Sequence, residues 1–165
     1  MRPAIDFGLG AAHLTRRMIR VHGTSVALGG DGILLRGPSG SGKSDLAVRL
    51  IDEGARLVAD DQTELHLSGD DVSMTAPATI AGRIEVRGLG IVPVPAVVAV
   101  PLRLVVDLVA GGTVERLPEP AGCDYLGRRF PLIHLAPFEA SAPAKLRLAL
   151  RALGPPTPRT ILVSS

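Results

Sequence analysis

The chain has one cysteine, no tryptophan and only 2% aromatic residues among its 165 positions. A single Cys123 excludes an internal disulfide and a multi-cysteine metal site, which fits a reducing compartment. Because aromatic side chains are so few, the core must be built from Val, Leu, Ile and Ala, which suits a sheet packed against helices. The length allows one domain that buries most of its apolar surface, so we expect residues 1–165 to form a single α/β domain.

A long uninterrupted apolar run is also missing. The most apolar stretch, residues 91–102, is interrupted by Pro93, Pro95 and Pro101 and is much shorter than the ~20 residues that cross a bilayer. The N-terminal residues show no secretory leader pattern. The net charge is only +2, and the 18 Lys and Arg residues are spread along the chain. The sequence therefore shows no basic cluster of the kind that binds nucleic acid. We expect a cytoplasmic protein with no membrane or nucleic-acid partner.

The chain does contain a complete phosphate-binding loop of the pattern G-x-x-x-x-G-K-[ST]. Its residues are Gly37, Pro38, Ser39, Gly40, Ser41, Gly42, Lys43 and Ser44. In such a loop the backbone N–H groups turn toward the phosphates, the lysine adds positive charge, and the serine hydroxyl can ligate Mg²⁺. A glycine-rich turn that binds no ligand does not require a Lys-Ser pair at the start of a helix. The loop therefore predicts binding of ATP or GTP, and the lack of an N-K-x-D motif argues against a GTPase switch.

Hydrophobic periodicity and turn residues predict the elements around this loop. Strands are expected over residues 19–28, 33–36, 56–59, 63–67, 79–86 and 102–109, and helices from Lys43 to about Ile51 and over residues 142–153. The fold class is therefore α/β, a mixed sheet with flanking helices of the P-loop NTPase type. The proline-rich residues 92–101 are expected to be a connection without helix.

Two adjacent carboxylates follow the strand that comes after the loop. Asp60 and Asp61 stand at its carboxyl end, where an acid can project toward phosphates held by the neighbouring loop. Phosphoryl transfer needs a carboxylate for Mg²⁺ and a group that deprotonates the acceptor, and either aspartate suits either role. Arg128 and Arg129 are weaker candidates for charge in the transition state, because paired surface arginines are usually only solvated.

Four blocks in this order resemble the HPr kinase/phosphorylase family. They are Val21-His22-Gly23-Thr24, the loop GPSGSGKS, Arg56-Leu57-Val58-Ala59-Asp60-Asp61, and Ile84-Glu85-Val86-Arg87-Gly88-Leu89-Gly90-Ile91. The phosphate loop belongs to a large superfamily, but the other three blocks are similar to this family's own signature. The likeness covers residues 20–91 well and residues 102–153 only loosely.

The resemblance implies a bacterial cytoplasmic enzyme that uses ATP and Mg²⁺ to phosphorylate a serine of HPr, the phosphocarrier of the sugar phosphotransferase system. Many members also remove the phosphate by phosphorolysis, and the family is typically hexameric. Carried over to this chain, the loop of residues 37–44 would bind the nucleotide, and Ser44 and Glu85 would ligate Mg²⁺. His22 and Lys43 would line the reaction centre, and Asp61, with Asp60 beside it, would exchange the serine proton.

The chain departs from the family pattern in three places. Only about eighteen residues precede the first predicted strand, as in truncated alphaproteobacterial members, so residues 1–18 and 155–165 are expected to be flexible or peripheral. The segment from Pro93 to Pro101 is short and apolar where the family has a longer basic loop. Residues 135–141 lack the arginine associated with phosphorolysis. Two alternatives on the same phosphate-loop scaffold stay open: a small-molecule kinase, and an ATP-binding sensor without efficient transfer.

Overall fold

The computed structural model describes residues 17–155, which form eleven strands and two α-helices. The strands are β1 Met18–His22, β2 Thr24–Leu28, β3 Asp31–Arg36, β4 Arg56–Ala59, β5 Gln62–Ser68, β6 Asp71–Thr75, β7 Arg83–Val86, β8 Gly90–Pro93, β9 Ala99–Leu108, β10 Ala121–Tyr125 and β11 Arg128–Leu135. The helices are α1 Lys43–Asp52 and α2 Ala142–Leu153, and a 3₁₀ turn spans Ala78–Ile80.

The strand before the phosphate-binding loop, β3, is buried on both faces. Ile33 and Leu35 pack into an apolar cluster that also contains Leu46 of α1 and Leu146 of α2. Leu34 packs into a second cluster on the other face. A continuous aliphatic run is what a strand needs when both faces of its sheet are covered. The composition-based prediction of an aliphatic core is confirmed.

Nine strands form one mixed sheet around β3. Its main path runs β1-β5-β6-β9-β3-β2-β4, while β11 pairs with β9 and β10 pairs with β11. Strand β3 is parallel to β9 and antiparallel to β2, and β11 is also parallel to β9. Strands β7 and β8 form a separate antiparallel hairpin. The predicted fold class, a mixed α/β sheet with flanking helices, is confirmed.

Three predicted elements are wrong in their bounds. Residues 92–101 were expected to be a connection, but β8 extends to Pro93 and β9 begins at Ala99. The strand expected over residues 19–28 is broken at Gly23, so that β1 pairs with β5 while β2 pairs with β3 and β4. A Cβ at Gly23 would lie 2.8 Å from the Leu35 carbonyl oxygen, so the break between β1 and β2 requires glycine. The strand expected over residues 79–86 begins only at Arg83, because Gly82 adopts a left-handed conformation with φ 74°.

Both predicted helices are confirmed. Helix α1 buries Leu46, Ala47 and Leu50 against the sheet, and α2 ends at Leu153, just before Gly154, whose φ is 72°. Neither of these helices has the length and apolarity that a bilayer crossing requires. The prediction for the peripheral segments falls almost wholly on residues 1–16 and 156–165, which lie outside the described residues, and the single-domain expectation stays a prediction.

Candidate active site

The phosphate-binding loop leads directly into α1, as its sequence pattern requires. Gly42 is the residue before the helix, with a φ of 100°, and no side chain caps the first turn. The free N–H groups of that turn, together with the positive end of the helix dipole, favour an anion at this position. The local backbone thus suits a phosphate group without any further side chain.

Lys43 is buried in the loop, with only 6% of its surface exposed. Its ammonium group donates hydrogen bonds to the carbonyl oxygens of Gly37 at 2.5 Å and Pro38 at 2.9 Å. Burial lowers the pKa of Lys43, and the nearby carboxylates of Asp61 and Asp60 oppose that shift only in part. A phosphate anion beside this ammonium group would favour the charged form.

Asp60 is the buried member of the carboxylate pair. Its Oδ1 accepts hydrogen bonds from Ser44 Oγ at 2.7 Å and from Thr24 Oγ1 at 3.1 Å. Its Oδ2 accepts one from the backbone N–H of Glu85 at 3.0 Å. These three bonds join the loop, β2 and the β7–β8 hairpin to one carboxylate, which compensates the burial of its charge.

Asp61 is the exposed member of the pair. Its φ is 67°, in the left-handed region that Asp adopts more readily than most residues. Two bonds hold this conformation: Asp61 N–H donates to Thr24 Oγ1 at 3.1 Å, and Gly23 N–H donates to the Asp61 carbonyl oxygen at 2.8 Å. The side chain is 68% exposed and accepts a hydrogen bond from His22 Nε2 at 2.8 Å.

A cavity of about 620 Å³ opens above the loop. Its volume lies within the range of small-molecule sites. The predicted residues that line it are Ser39, Gly40, Gly42, Lys43, Ser44, Asp60, Asp61 and Glu85. Glu85 is exposed at the wall of the cavity, and His22 joins the group through its bond to Asp61. The cavity thus gathers predicted residues from three of the four sequence blocks, and His22 of the remaining block is attached through Asp61, whereas Gly37, Pro38 and Ser41 are not among the lining residues.

Arg128 and Arg129 are not brought to this cavity. Arg128 pairs with Asp70 and Arg129 with Asp124, in both cases on the exposed surface. In contrast, six residues that were not assigned to the site from the sequence line the cavity: Thr24, Asp45, Val48, Val86, Arg87 and Phe138. Thr24 contacts both aspartates, and Phe138 lines the cavity from the loop after β11. The VHGT block contained a signal for Thr24, whereas no local pattern pointed to Phe138.

The oxygen donors around Asp60 fit a magnesium ion that is shared with phosphates. Within residues 17–155 no group of three or more His, Cys, Asp or Glu side chains is arranged to hold a metal by itself. Mg²⁺ in nucleotide sites is instead bound by one or two protein oxygens, phosphate oxygens and water. The hydroxyl of Ser44 and the carboxylate of Asp60, 2.7 Å apart, match that requirement.

A family model described as HPr Serine kinase C-terminal domain matches residues 13–101, which is more than half of the chain. An HPr kinase/phosphorylase of Clostridium tetani is 40% identical over 100 residues, which cover 61% of this chain and 32% of that protein. One of Caldanaerobacter subterraneus subsp. tengcongensis is 47% identical over 77 residues, covering 46% of this chain and 25% of the relative.

The solved structure of the Hpr(Ser) kinase/phosphatase from Coxiella burnetii has a similar fold. The TM-score is 0.73 at 25% identity, and the match covers 82% of this chain and 95% of that chain. The present chain spans a quarter to a third of the length of the curated relatives it matches. The family match includes the loop, both aspartates and Glu85. The chain therefore belongs to the family of the HPr serine kinase C-terminal domain.

Proposed function

We propose that this chain is an ATP-dependent kinase that phosphorylates a serine of HPr or an HPr-like phosphocarrier. The observation that carries the proposal is an exposed carboxylate, Asp61, that lines the same cavity as Lys43 and Ser44 of the phosphate-binding loop. A base at the open mouth of the cavity is accessible to a hydroxyl carried by another protein. The relatives are named HPr kinase/phosphorylase, which supports this choice of acceptor.

In the proposed reaction, residues 37–44 hold the triphosphate and Lys43 offsets the charge of its terminal groups. The serine oxygen of the carrier attacks the γ-phosphorus while Asp61 accepts the hydroxyl proton. The bond from the γ-phosphorus to the bridging oxygen breaks, and ADP keeps that electron pair. His22, which donates to Asp61 Oδ1 at 2.8 Å, keeps the carboxylate aimed at the incoming hydroxyl.

Ser44 and Asp60 would hold Mg²⁺, with Glu85 at the wall of the same cavity. When bound, the ion offsets negative charge on the β- and γ-phosphate oxygens. The hydrogen bonds from Thr24 and from the Glu85 N–H fix Asp60 so that its carboxylate faces the loop. The structure thus favours Asp60 as a ligand of the metal ion and Asp61 as the base that accepts the serine proton.

Three further properties belong to the same proposal. The reverse reaction, phosphorolysis, would use Asp61 to return the proton to the leaving serine, since microscopic reversibility gives one carboxylate both roles. A homo-oligomer, hexameric by resemblance to the family, would cover exposed apolar side chains such as Leu89, Ile91 and Val98. A cytoplasmic location agrees with the single free cysteine and with a phosphotransferase-system partner.

The test is transfer from ATP in the presence of Mg²⁺ to a purified HPr-like carrier from the same organism. We expect a phosphoserine, located by mass spectrometry, that is lost in Lys43→Ala and retained in Lys145→Ala, a charge-matched control at an exposed position on α2. Binding of ATP without transfer would favour the sensor alternative, and transfer to a metabolite with no effect of the carrier would favour the small-molecule kinase. Either result would overturn the proposed acceptor.

A further inference from the structure

Phe138 is an aromatic side chain left exposed at the rim of the phosphate cavity. Phe138 is one of only three phenylalanines in the chain, and 70% of its surface is exposed. The residue lies between β11 and α2 and lines the same cavity as Lys43 and Ser44. We propose that the ring of Phe138 is the stacking platform for the purine base of the bound nucleotide. This inference rests on the proposed nucleotide-dependent function and extends it to the recognition of the base.

The topology places the Phe138 loop next to the phosphate-binding loop. Strands β3 and β11 are each parallel to β9, so the loops that follow them leave the same edge of the sheet. In open α/β sheets this carboxyl edge is where nucleotides bind. The phosphate-binding loop follows β3 and the Phe138 loop follows β11. A nucleotide with its phosphates in the first loop can therefore direct its base toward the second.

The Phe138 ring touches the phosphate-binding loop directly. A Cβ added at Gly42 would lie 2.9 Å from Phe138 Cζ and 3.2 Å from Cε1. The ring edge is thus seated on the last glycine before α1, while most of the ring remains open to solvent. An exposed planar face beside a phosphate site offers the geometry on which a base stacks.

Arg49 of α1 fixes the position of this loop. Its guanidinium group donates to the backbone carbonyl oxygens on both sides of Phe138, those of Pro137 and Glu139. It also donates to Asp45 Oδ2 at 3.0 Å, which orients the guanidinium itself. Because the flanking backbone is tied to α1, the ring is held in place before the ligand arrives, and less ordering is needed on binding. Arg49 is accordingly a positioning residue for the base.

Stacking on an aromatic ring is tolerant of base identity, because every base has a π-face. We therefore expect Phe138 to contribute similarly to ADP and GDP and to contribute nothing to inorganic pyrophosphate. Comparing the nucleotides with pyrophosphate therefore distinguishes the contribution of the base to binding from that of the phosphates. It also separates a base platform from a surface that docks the protein acceptor, for which nucleotide affinity would not depend on the ring.

The experiment compares ADP, GDP and pyrophosphate binding by calorimetry in the wild type and in Phe138→Ala. We expect affinity for both nucleotides to fall about tenfold, with pyrophosphate affinity unchanged. Leu148→Ala, at an exposed apolar position on α2, is the matched control and should alter none of the three. Because the chain has no tryptophan, Phe138→Trp introduces a single indole. Its fluorescence should change with ADP and stay constant with pyrophosphate.

Several outcomes would overturn the inference. Unchanged ADP affinity in Phe138→Ala, with wild-type protein that binds ADP and phosphorylates the carrier, would reject the platform and leave the proposed function standing. An equal loss for pyrophosphate would show that the ring only supports the loop. A change confined to the KM for the carrier would assign the ring to protein docking. Wild-type protein that binds no nucleotide at all would overturn the inference and the proposed function together.

Discussion

His22 Nε2 and Asp61 Oδ1 lie 2.8 Å apart, although 39 positions separate the two residues in the chain. His22 ends β1, and Asp61 occupies the turn just before β5, the strand with which β1 pairs. Both side chains are exposed, so the pairing is not forced by burial. A carboxylate in open solvent would otherwise sample several rotamers, and a charge-assisted bond restricts it. This relationship supplies the orientation that a base requires.

Replacing Asp61 with Asn is expected to lower serine phosphorylation by about two orders of magnitude or more, the usual contribution of a positioned base. Nucleotide affinity should remain close to that of the wild type, because the loop and Lys43 are untouched. Asparagine also tolerates the left-handed conformation that residue 61 adopts, so the backbone turn is retained. Single-turnover transfer and ADP titration measure the two quantities separately.

The matched control for Asp61→Asn is Asp124→Asn, since Asp124 is likewise exposed and pairs with Arg129 away from the cavity. It should leave both transfer and binding unchanged. If Asp61→Asn transferred phosphate at the wild-type rate, the assignment of the base would be rejected.

A double-mutant cycle tests whether His22 acts through Asp61. His22→Asn alone is expected to reduce kcat about tenfold, which corresponds to a coupling of about 1.4 kcal/mol. In the Asp61→Asn background the same change should have almost no further effect, because the group that His22 orients is no longer a base. Additive losses would show that His22 has an independent role. Unfolding curves of the single variants check that neither change alters stability.

Asp60 is expected to be important for both stability and the metal. In the wild type, both carboxylate oxygens of Asp60 accept hydrogen bonds, one from Ser44 and Thr24 and the other from the Glu85 N–H. In Asp60→Asn one of these oxygens becomes an NH₂ group, which cannot accept, so at least one donor loses its partner. Leaving a buried donor unsatisfied costs about 1–3 kcal/mol in the free energy of unfolding. We also expect transfer to require more Mg²⁺, because one metal ligand loses its charge.

Urea denaturation and a magnesium titration of the transfer rate measure the two effects of Asp60→Asn. Asp70→Asn serves as the control at an exposed position, where a substitution should change stability by no more than about 0.5 kcal/mol. Equal stability and equal magnesium dependence in Asp60→Asn and Asp70→Asn would contradict the role of Asp60.

The sequence predicted those parts of the fold that depend on local signals. Glycines mark the loop of residues 37–44 and the ends of the two helices. A 3.6-residue period of apolar side chains marks the helix that begins at Lys43 and the helix over residues 142–153. Four strands were missed, namely β6, β8, β10 and β11, and the last two are only partly buried and show no strict alternation. The pairing of β11 with β9 is a long-range contact that no local pattern encodes.

The same limit applies to the site. The order of blocks predicted that Asp60 and Asp61 lie near the phosphates, but adjacent aspartates in a sequence look equivalent. The structure separates them through Thr24, which donates to the Asp60 carboxylate and accepts from the Asp61 N–H across 36 and 37 positions. The left-handed turn at Asp61 completes the separation. Such a distinction depends on tertiary hydrogen bonds and could not be predicted from spacing.

Gly42 provides a test of the contact between the phosphate loop and Phe138. Gly42 and Gly54 have nearly the same φ, 100° and 106°, but a Cβ at Gly42 would lie 2.9 Å from the Phe138 ring whereas one at Gly54 would meet nothing within 4 Å. Gly54→Ala therefore measures the cost of the left-handed conformation alone, about 1–2 kcal/mol. Gly42→Ala should cost more in urea unfolding without nucleotide, because the ring or the loop must also shift.

The excess cost should decrease when the ring is removed. In a Phe138→Ala background we expect Gly42→Ala to approach the cost of Gly54→Ala, with a remainder from Pro137, whose Cγ would lie 3.0 Å from the added Cβ. This non-additivity is the signature of two residues in contact. If Gly42→Ala and Gly54→Ala cost the same in the wild-type background, the ring does not rest on the loop. Phe138 would then lack the fixed position that a stacking platform needs.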